Sequence, residues 1–174
     1  MNRQQIIDQL PGLRRYARAL TGDAWAADDL VQDTLERACS KWALWQSGTD
    51  LRAWLFTVMH NLYLNQQRTS ASKAQTDELD DHLPAPPLHT DERLDLQKGL
   101  MQLPADQRAL LLMVTLEDMT YEAAAKVLGI PVGTVMSRLS RARQRLRQWM
   151  SAAPADAQAA GQPVSPPVPL RRLK

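Results

Sequence analysis

The feature that most narrows the choice of fold is a row of apolar residues near the C-terminal end: Val132, Val135, Leu139, Ala142, Leu146 and Trp149, spaced 3, 4, 3, 4, 3. An α-helix brings that spacing onto one side, where it forms a stripe that must be buried against other elements. Upstream of it, Thr120 suits the cap of a short helix, Gly129 permits a tight turn, and Pro131 opens the longer helix. The segment Thr120 to Arg147 therefore reads as a helix-turn-helix. At about 100° per residue, the face opposite the stripe carries Gly133, Ser137, Ser140, Arg141 and Gln144. Arg138 and Arg145 stand at one rim, and Arg143 and Arg147 at the other. Such a face suits the DNA major groove, where arginine contacts guanine in bidentate fashion, Ser and Gln reach base edges, and rim arginines meet phosphates. An ordinary solvated basic face would explain the charge alone; the Gly129 turn, the Thr-capped helix before it and the lack of acids on this helix favour the nucleic-acid reading.

Apolar residues recur at three- and four-residue spacing along most of the remaining chain and strand patterns are nearly missing, so the expected fold is all-α. One helix is expected from Pro11 to Leu20, ended by Thr21-Gly22. Asp23 caps a second that reaches about Trp42, with Ala27, Leu30, Val31, Leu35 and Ala38 on one face. A loop, Gln46 to Thr49, precedes a third helix, capped by Asp50 and running to about Arg68. Four more are expected over Leu94–Leu103, Pro104–Leu116, Tyr121–Leu128 and Val132–Trp149. Between the two groups the composition changes: Asp77 to Thr90 holds three Pro, four acids and few bulky apolar residues, the signature of a flexible linker. Two small helical domains are thus expected, over residues 1–75 and 92–150, joined by a linker over 76–91 and followed by a disordered Ala- and Pro-rich tail over 151–174. The formal net charge of +2 conceals a split, with seven acids against one Arg between Thr76 and Asp95, and five Arg without an acid from Arg138 to Arg147.

The N-terminal half has seven of the nine aromatic residues, all before residue 64. On the third helix, Leu55, Val58, Met59 and Leu62 form the expected apolar stripe, while Trp54, Thr57, Asn61, Asn65 and Arg68 form a second one. Aromatic, amide and guanidinium groups along one face can hold unstacked bases and a single-stranded backbone; a core role for Trp54 and Phe56 is the alternative. On the second helix, Asp28, Asp29, Gln32 and Asp33 make an acidic, amide-bearing surface. Its simpler explanation is a solvated face with local pairs such as Asp33 with Arg37. The single Cys39 and three scattered His offer neither a disulfide nor metal-ligand spacing, which fits a reducing cytoplasm. MNRQQIIDQL lacks an apolar signal core and no run of about 18 apolar residues occurs, so no membrane insertion is expected.

The run LPADQRALLLMVTLEDMTYEAAAKVLGIPVGTVMSRLSRARQRLRQ resembles the domain with which extracytoplasmic-function sigma factors bind the promoter minus-thirty-five element. LRRYARALTGDAWAADDLVQDTLERA resembles their polymerase-gripping segment, and LRAWLFTVMHNLYLNQQR the segment that melts and reads the minus-ten element. The resemblance covers roughly residues 10 to 70 and 92 to 149, in family order. It implies a transcription initiation factor with core RNA polymerase and promoter DNA as partners, together with an anti-sigma factor. It places polymerase binding on Asp28, Asp29, Gln32 and Asp33, and minus-ten binding on Trp54, Thr57, Asn61, Asn65 and Arg68. Minus-thirty-five binding falls on Thr134, Ser137, Arg138, Ser140, Arg141, Gln144 and Arg145. Met136 stands where the family usually has Lys or Arg, which removes a phosphate or base contact. A glycine-rich phosphate loop, a metal cluster and a nucleophile paired with a base are all missing from the sequence, so neither catalysis nor a cofactor is expected. A helix-turn-helix regulator acting alone is the rival binding function, but it leaves the Asp28 cluster and the aromatic helices without a purpose. A magnesium-diphosphate site at Asp28, Asp29 and Asp33 would need a second acidic motif that the chain lacks.

Overall fold

The computed structural model describes residues 3–42, 45, 50–74 and 91–152. Among these residues the protein is entirely helical, with α1 (Arg3–Thr21), α2 (Ala24–Ser40), α3 (Leu51–Ala74), α4 (Asp91–Met101), α5 (Ala105–Thr115), α6 (Tyr121–Leu128) and α7 (Val132–Ala152). The loop expected over Gln46–Thr49, most of the linker and nearly all of the tail lie outside the described residues. Asp91 already belongs to α4, and α7 continues through Ala152, so each of those expected boundaries shifts by one or two residues.

Side-chain caps explain the starts of α2, α3 and α6. Asp23 accepts a hydrogen bond from the Ala26 amide at 2.7 Å, Asp50 one from Ala53 at 3.1 Å, and Thr120 one from Ala123 at 3.1 Å. Gly129 ends α6 in the left-handed conformation, at φ 64°. The start of α1 differs from expectation: the helix begins at Arg3 and Pro11 lies inside it. Ile6 supplies a buried turn N-terminal to the proline, and Pro11 sits on the exposed side, where the bond it forfeits is the least costly. Helix α2 stops two residues short of Trp42, and α3 runs six residues beyond Arg68.

Helices α1, α2 and α3 pack side by side, α4 to α7 form the helix-turn-helix unit, and the two groups share a continuous apolar core. Helix α1 lies against α4 and α5, and α3 against α5 and α6. This corrects the expected core face of α3. Leu55, Phe56, Met59 and Tyr63 are buried, whereas Val58 and Leu62 are half-buried. The helix is covered by α2 on one side and by the second domain on another, so its buried face is wider than its own apolar stripe.

The seam between the groups is polar as well as apolar. Glu117, in the turn between α5 and α6, is 2 % exposed. Arg15 of α1 meets its Oε1 at 2.8 Å, and Arg52 of α3 meets its Oε2 at 2.8 Å. Arg52 also donates to the Glu117 carbonyl at 2.6 Å. A carboxylate taken out of water requires such compensation. Gly12 makes room for it: a Cβ there would stand 2.9 Å from Glu117 Oε2. Nearby, Arg108 donates to the buried Tyr63 hydroxyl, and Tyr16 donates to the Ala109 carbonyl at 3.4 Å. Burial, reinforced by Tyr63 and Glu117, holds the Tyr16 hydroxyl protonated far above the usual phenol range.

Candidate functional site

Three helices present polar faces, each anchored because the opposite side of the same helix is buried. On α2, Ala27, Leu30, Val31 and Ala38 enter the core, which leaves Asp28, Asp29 and Gln32 exposed. Gln32 donates to Glu36 at 3.0 Å. Asp33 is half-buried and accepts a hydrogen bond from Gln66 of α3 at 3.2 Å. Its bonding partner is thus a neighbouring helix, where the sequence suggested Arg37 one turn on. Asp33 helps to join α2 to α3, and the solvent-facing acids are Asp28 and Asp29.

On α3, Asn61, Asn65 and Arg68 are exposed in a line, while Thr57 is half-buried and donates its hydroxyl to the Ala53 carbonyl at 2.9 Å. Trp54 is half-buried too, with its ring set edge-on to Trp42 at 6.1 Å between centroids. Trp42 in turn lies 4.8 Å from Trp45. The aromatic site is therefore a cluster of three tryptophans at the C-terminal end of α2 and the N-terminal end of α3. The sequence reading picked one of the three; the other two lie after α2, where helical periodicity has ended and gives no signal.

On α7, Val135, Leu139 and Ala142 are buried, and Ser137, Ser140, Arg141 and Gln144 are exposed. The start of α7 is open to solvent: a Cβ built on Gly133 meets nothing within 4 Å. Thr134 is half-buried and its carbonyl accepts from the Ser137 hydroxyl at 3.1 Å. One rim is engaged with α5: Arg138 pairs with Asp106 at 3.1 Å, and Arg145 donates to Gln107 at 3.3 Å. Met136 is 54 % exposed, an apolar side chain at the surface of a basic helix.

His60 ties the α3 site to this rim. Burial lowers its pKa from the usual 6.5 to about 4; Asp106 pulls it upward and Arg138 pushes it down, so both α5 and α7 act on a side chain of α3. Among the described residues its Nδ1 has no hydrogen-bond partner. Sequence reasoning missed His60, Glu117, Arg15 and Arg52, all of which are defined by contacts between the two helical groups.

Residues 93–146 match the family described as Sigma-70, region 4, and residues 6–60 match the Sigma2 domain of PhyR. The ECF RNA polymerase sigma factor EcfG of Rhodopseudomonas palustris is 38 % identical over 151 residues, covering 83 % of this chain and 82 % of the relative. The chain belongs to the ECF RNA polymerase sigma factors.

As a sigma factor it directs RNA polymerase to promoters. Helices α1–α3 carry its region 2 and α4–α7 its region 4, and a regulator acting without polymerase is not favoured. ECF sigma factor SigL of Mycobacterium tuberculosis is 35 % identical over 148 residues, covering 78 % of this chain and 80 % of the relative. Among solved structures, the sigma factor RpoE in complex with the anti-sigma factor NepR from Bartonella quintana superposes with a TM-score of 0.74. It is 34 % identical, over 87 % of this chain and 97 % of that one. Among the described residues no helix of the sigma factor is long and apolar enough to cross a membrane.

Proposed function

We propose that this sigma factor works by binding alone, in the cytoplasm, through three separate faces. Asp28, Asp29 and Gln32 of α2 dock on core polymerase, with Asp33 bracing them against α3. Trp54, with Thr57, Asn61, Asn65 and Arg68, captures separated minus-ten bases. Stacking at about 1 to 3 kcal/mol per base offsets the few kcal/mol of unstacking. Ser137, Ser140, Arg141 and Gln144 read the minus-thirty-five duplex, with Thr134, Arg138 and Arg145 at its edge.

The observation that carries this reading is that Asp28, Asp29 and Gln32 on α2, Asn61, Asn65 and Arg68 on α3, and Ser137, Ser140, Arg141 and Gln144 on α7 stand in solvent while the opposite side of each helix is locked in the core. The shared core adds a condition. Two promoter elements about 25 base pairs apart are separated by roughly 85 Å at 3.4 Å per pair, which two domains in contact cannot span. The sixteen residues 75–90 reach at most about 55 Å when fully extended, enough to join two separated domains each some tens of ångströms across. The packed form is therefore the resting form, and promoter binding separates α1 and α3 from α4, α5 and α6. Its likeness to RpoE in complex with NepR, over nearly the whole of that chain, supports an anti-sigma factor as the partner that holds this state. Because such a partner engages both domains, it binds the intact chain more tightly than either domain.

Run-off transcription with core polymerase and a library of promoter fragments tests the reading. The wild-type chain is expected to select promoters. Arg141→Ala costs about 1 to 3 kcal/mol and relaxes preference at one minus-thirty-five position, whereas Arg147→Ala weakens binding to all sequences and lowers its salt dependence. Identical sequence profiles for the two variants would mean that the faces of α7 are assigned wrongly.

A further inference from the structure

Helix α7 exposes two methionines in different surroundings. Met150 lies beside Leu96 and Leu146 in an apolar groove against α4. Met136, 54 % exposed, is flanked toward solvent by Gly133, Ser137 and Ser140, so its long unbranched side chain extends past small neighbours. A single exposed apolar side chain is ordinary on a protein surface; the position sets this one apart. Met136 is the fifth residue of α7, and the first turns of the second helix of a helix-turn-helix are the ones that come to base edges. Positions 133, 136, 140, 143 and 147, spaced 3, 4, 3 and 4, follow one edge of the helix. That edge is small and apolar at its N-terminal end and carries exposed Arg143 and Arg147 about 10 and 16 Å further along. Cations so placed meet phosphates and hold the first turns in the groove.

A thioether brought to that place is no more than a weak acceptor and gains little from phosphate oxygens. Every base edge in the major groove offers donors or acceptors, and the groove has one apolar feature, the C5-methyl of thymine. Opposite guanine, Met136 would cover the O6 and N7 acceptors without replacing the water they lose. Opposite thymine, the two apolar groups bury each other. A protein partner fits the same spot less well, because apolar docking sites are contiguous patches, and Met136 stands among serines and arginines.

We infer that Met136 is a specificity residue, whose side chain packs on the C5-methyl of one thymine in the minus-thirty-five duplex. The inference rests on, and deepens, the reading of α7 as the helix that enters that duplex. Arg141, Ser137 and Gln144 read by hydrogen bonds, and Met136 adds a contact that depends on a methyl group and on no hydrogen bond.

The test uses the full chain with core polymerase. A library randomised over the minus-thirty-five element is selected with the wild-type protein, and each thymine of the selected element, on either strand, is then replaced by deoxyuridine. Uracil keeps the hydrogen-bonding edge and lacks only the methyl. At one position the substitution is expected to lower promoter affinity of the wild type about fourfold, as burial of one methyl-sized group implies. At that position Met136→Ala and Met136→Gln should bind thymine and uracil templates within about 1.5-fold of each other, while Met136→Leu keeps at least half of the discrimination. Helical content and thermal unfolding of each variant should match the wild type, because the side chain is exposed. If no methyl removal lowers wild-type affinity by more than about 1.5-fold, or if the methyl effect persists in Met136→Ala, the inference is overturned. A Met136→Ala variant that weakens equally on both templates places the contact on the DNA backbone or on polymerase and overturns it as well. Arg141→Ala, run in parallel, separates the two levels. Relaxed preference in that variant without any methyl effect in the wild type removes the Met136 contact alone, and loss of both effects removes α7 from base reading.

Discussion

Glu117 and the pair Asp28 and Asp29 are the same chemistry in two settings. Glu117 is enclosed, with an arginine from α1 and another from α3 on its two oxygens. Asp28 and Asp29 stand in solvent on α2. A buried carboxylate can be kept only where its charges and hydrogen bonds are matched, so it fixes how its surroundings are arranged. An exposed one costs the fold little and is free to meet a partner. In one chain, then, burial makes an acid a clamp between domains, and exposure makes it a handle for another protein.

The strongest way to break the comparison is at the clamp. Glu117→Ala leaves Arg15 and Arg52, both on the α1–α3 side of the seam, without the carboxylate between them; they keep their bonds to the Leu116 and residue-117 main-chain carbonyls, and Arg52 its contact over the Phe56 ring, 5.6 Å from the centroid. Both arginines are partly solvated, at 55 % and 38 % side-chain exposure. The loss should therefore fall at or below the low end for breaking a buried pair, about 3 kcal/mol. Urea unfolding measures it, and small-angle scattering should show a larger radius as the domains part. A variant that remains as compact and as stable as wild type would show that the apolar core alone holds the seam.

A smaller effect on the same seam comes from pH. The folded-state pKa of His60, about 4, lies below its usual 6.5. Between those values the unfolded chain binds more protons than the folded one, so stability is full above pH 6.5 and falls as pH drops toward 4. At 1.36 kcal/mol per unit, the contribution lost by pH 5 is about 2 kcal/mol. His60→Leu should flatten the stability profile between pH 7 and pH 5. A profile that keeps its slope in the variant would assign the acid sensitivity to another group.

The two acid sites also mark what the sequence discloses and what it does not. Helices α5 and α6 fall within a residue of their expected ends, and α7 starts where expected and runs three residues further, because Thr120, Gly129 and the Val132 to Trp149 stripe are local signals. The exposed residues of α7 are legible for the same reason: a face opposite an apolar stripe is fixed by helix geometry alone. Pro11 was misread as a helix start because local grammar cannot see that Ile6 finds a buried place one turn earlier. Glu117 was invisible for a deeper reason. Its partners Arg15 and Arg52 lie 102 and 65 residues away, and no periodicity links them. The core face of α3 was misread on the same ground, since the second domain covers residues that the helix's own pattern assigns to solvent.

The smallest predicted effect is on the exposed pair, and it sharpens the comparison most. Asp28→Asn with Asp29→Asn removes two charges from α2 without changing side-chain size. Both positions lie past the first turn of α2, which begins at Ala24, so little helix-dipole stabilisation is lost. Across the cleft between α1 and α2, Arg14 and Arg18 are exposed, and attraction over that distance in water is largely screened at physiological salt. Stability should thus change by less than about 0.5 kcal/mol in either direction. Affinity for core polymerase, by contrast, should fall, and fall less steeply with added salt than in the wild type, because the charges that steer the encounter are gone. Paired urea titrations and binding isotherms at low and high salt decide it. If stability drops by as much as in Glu117→Ala, the α2 acids belong to the fold, and the division between clamp and handle is lost.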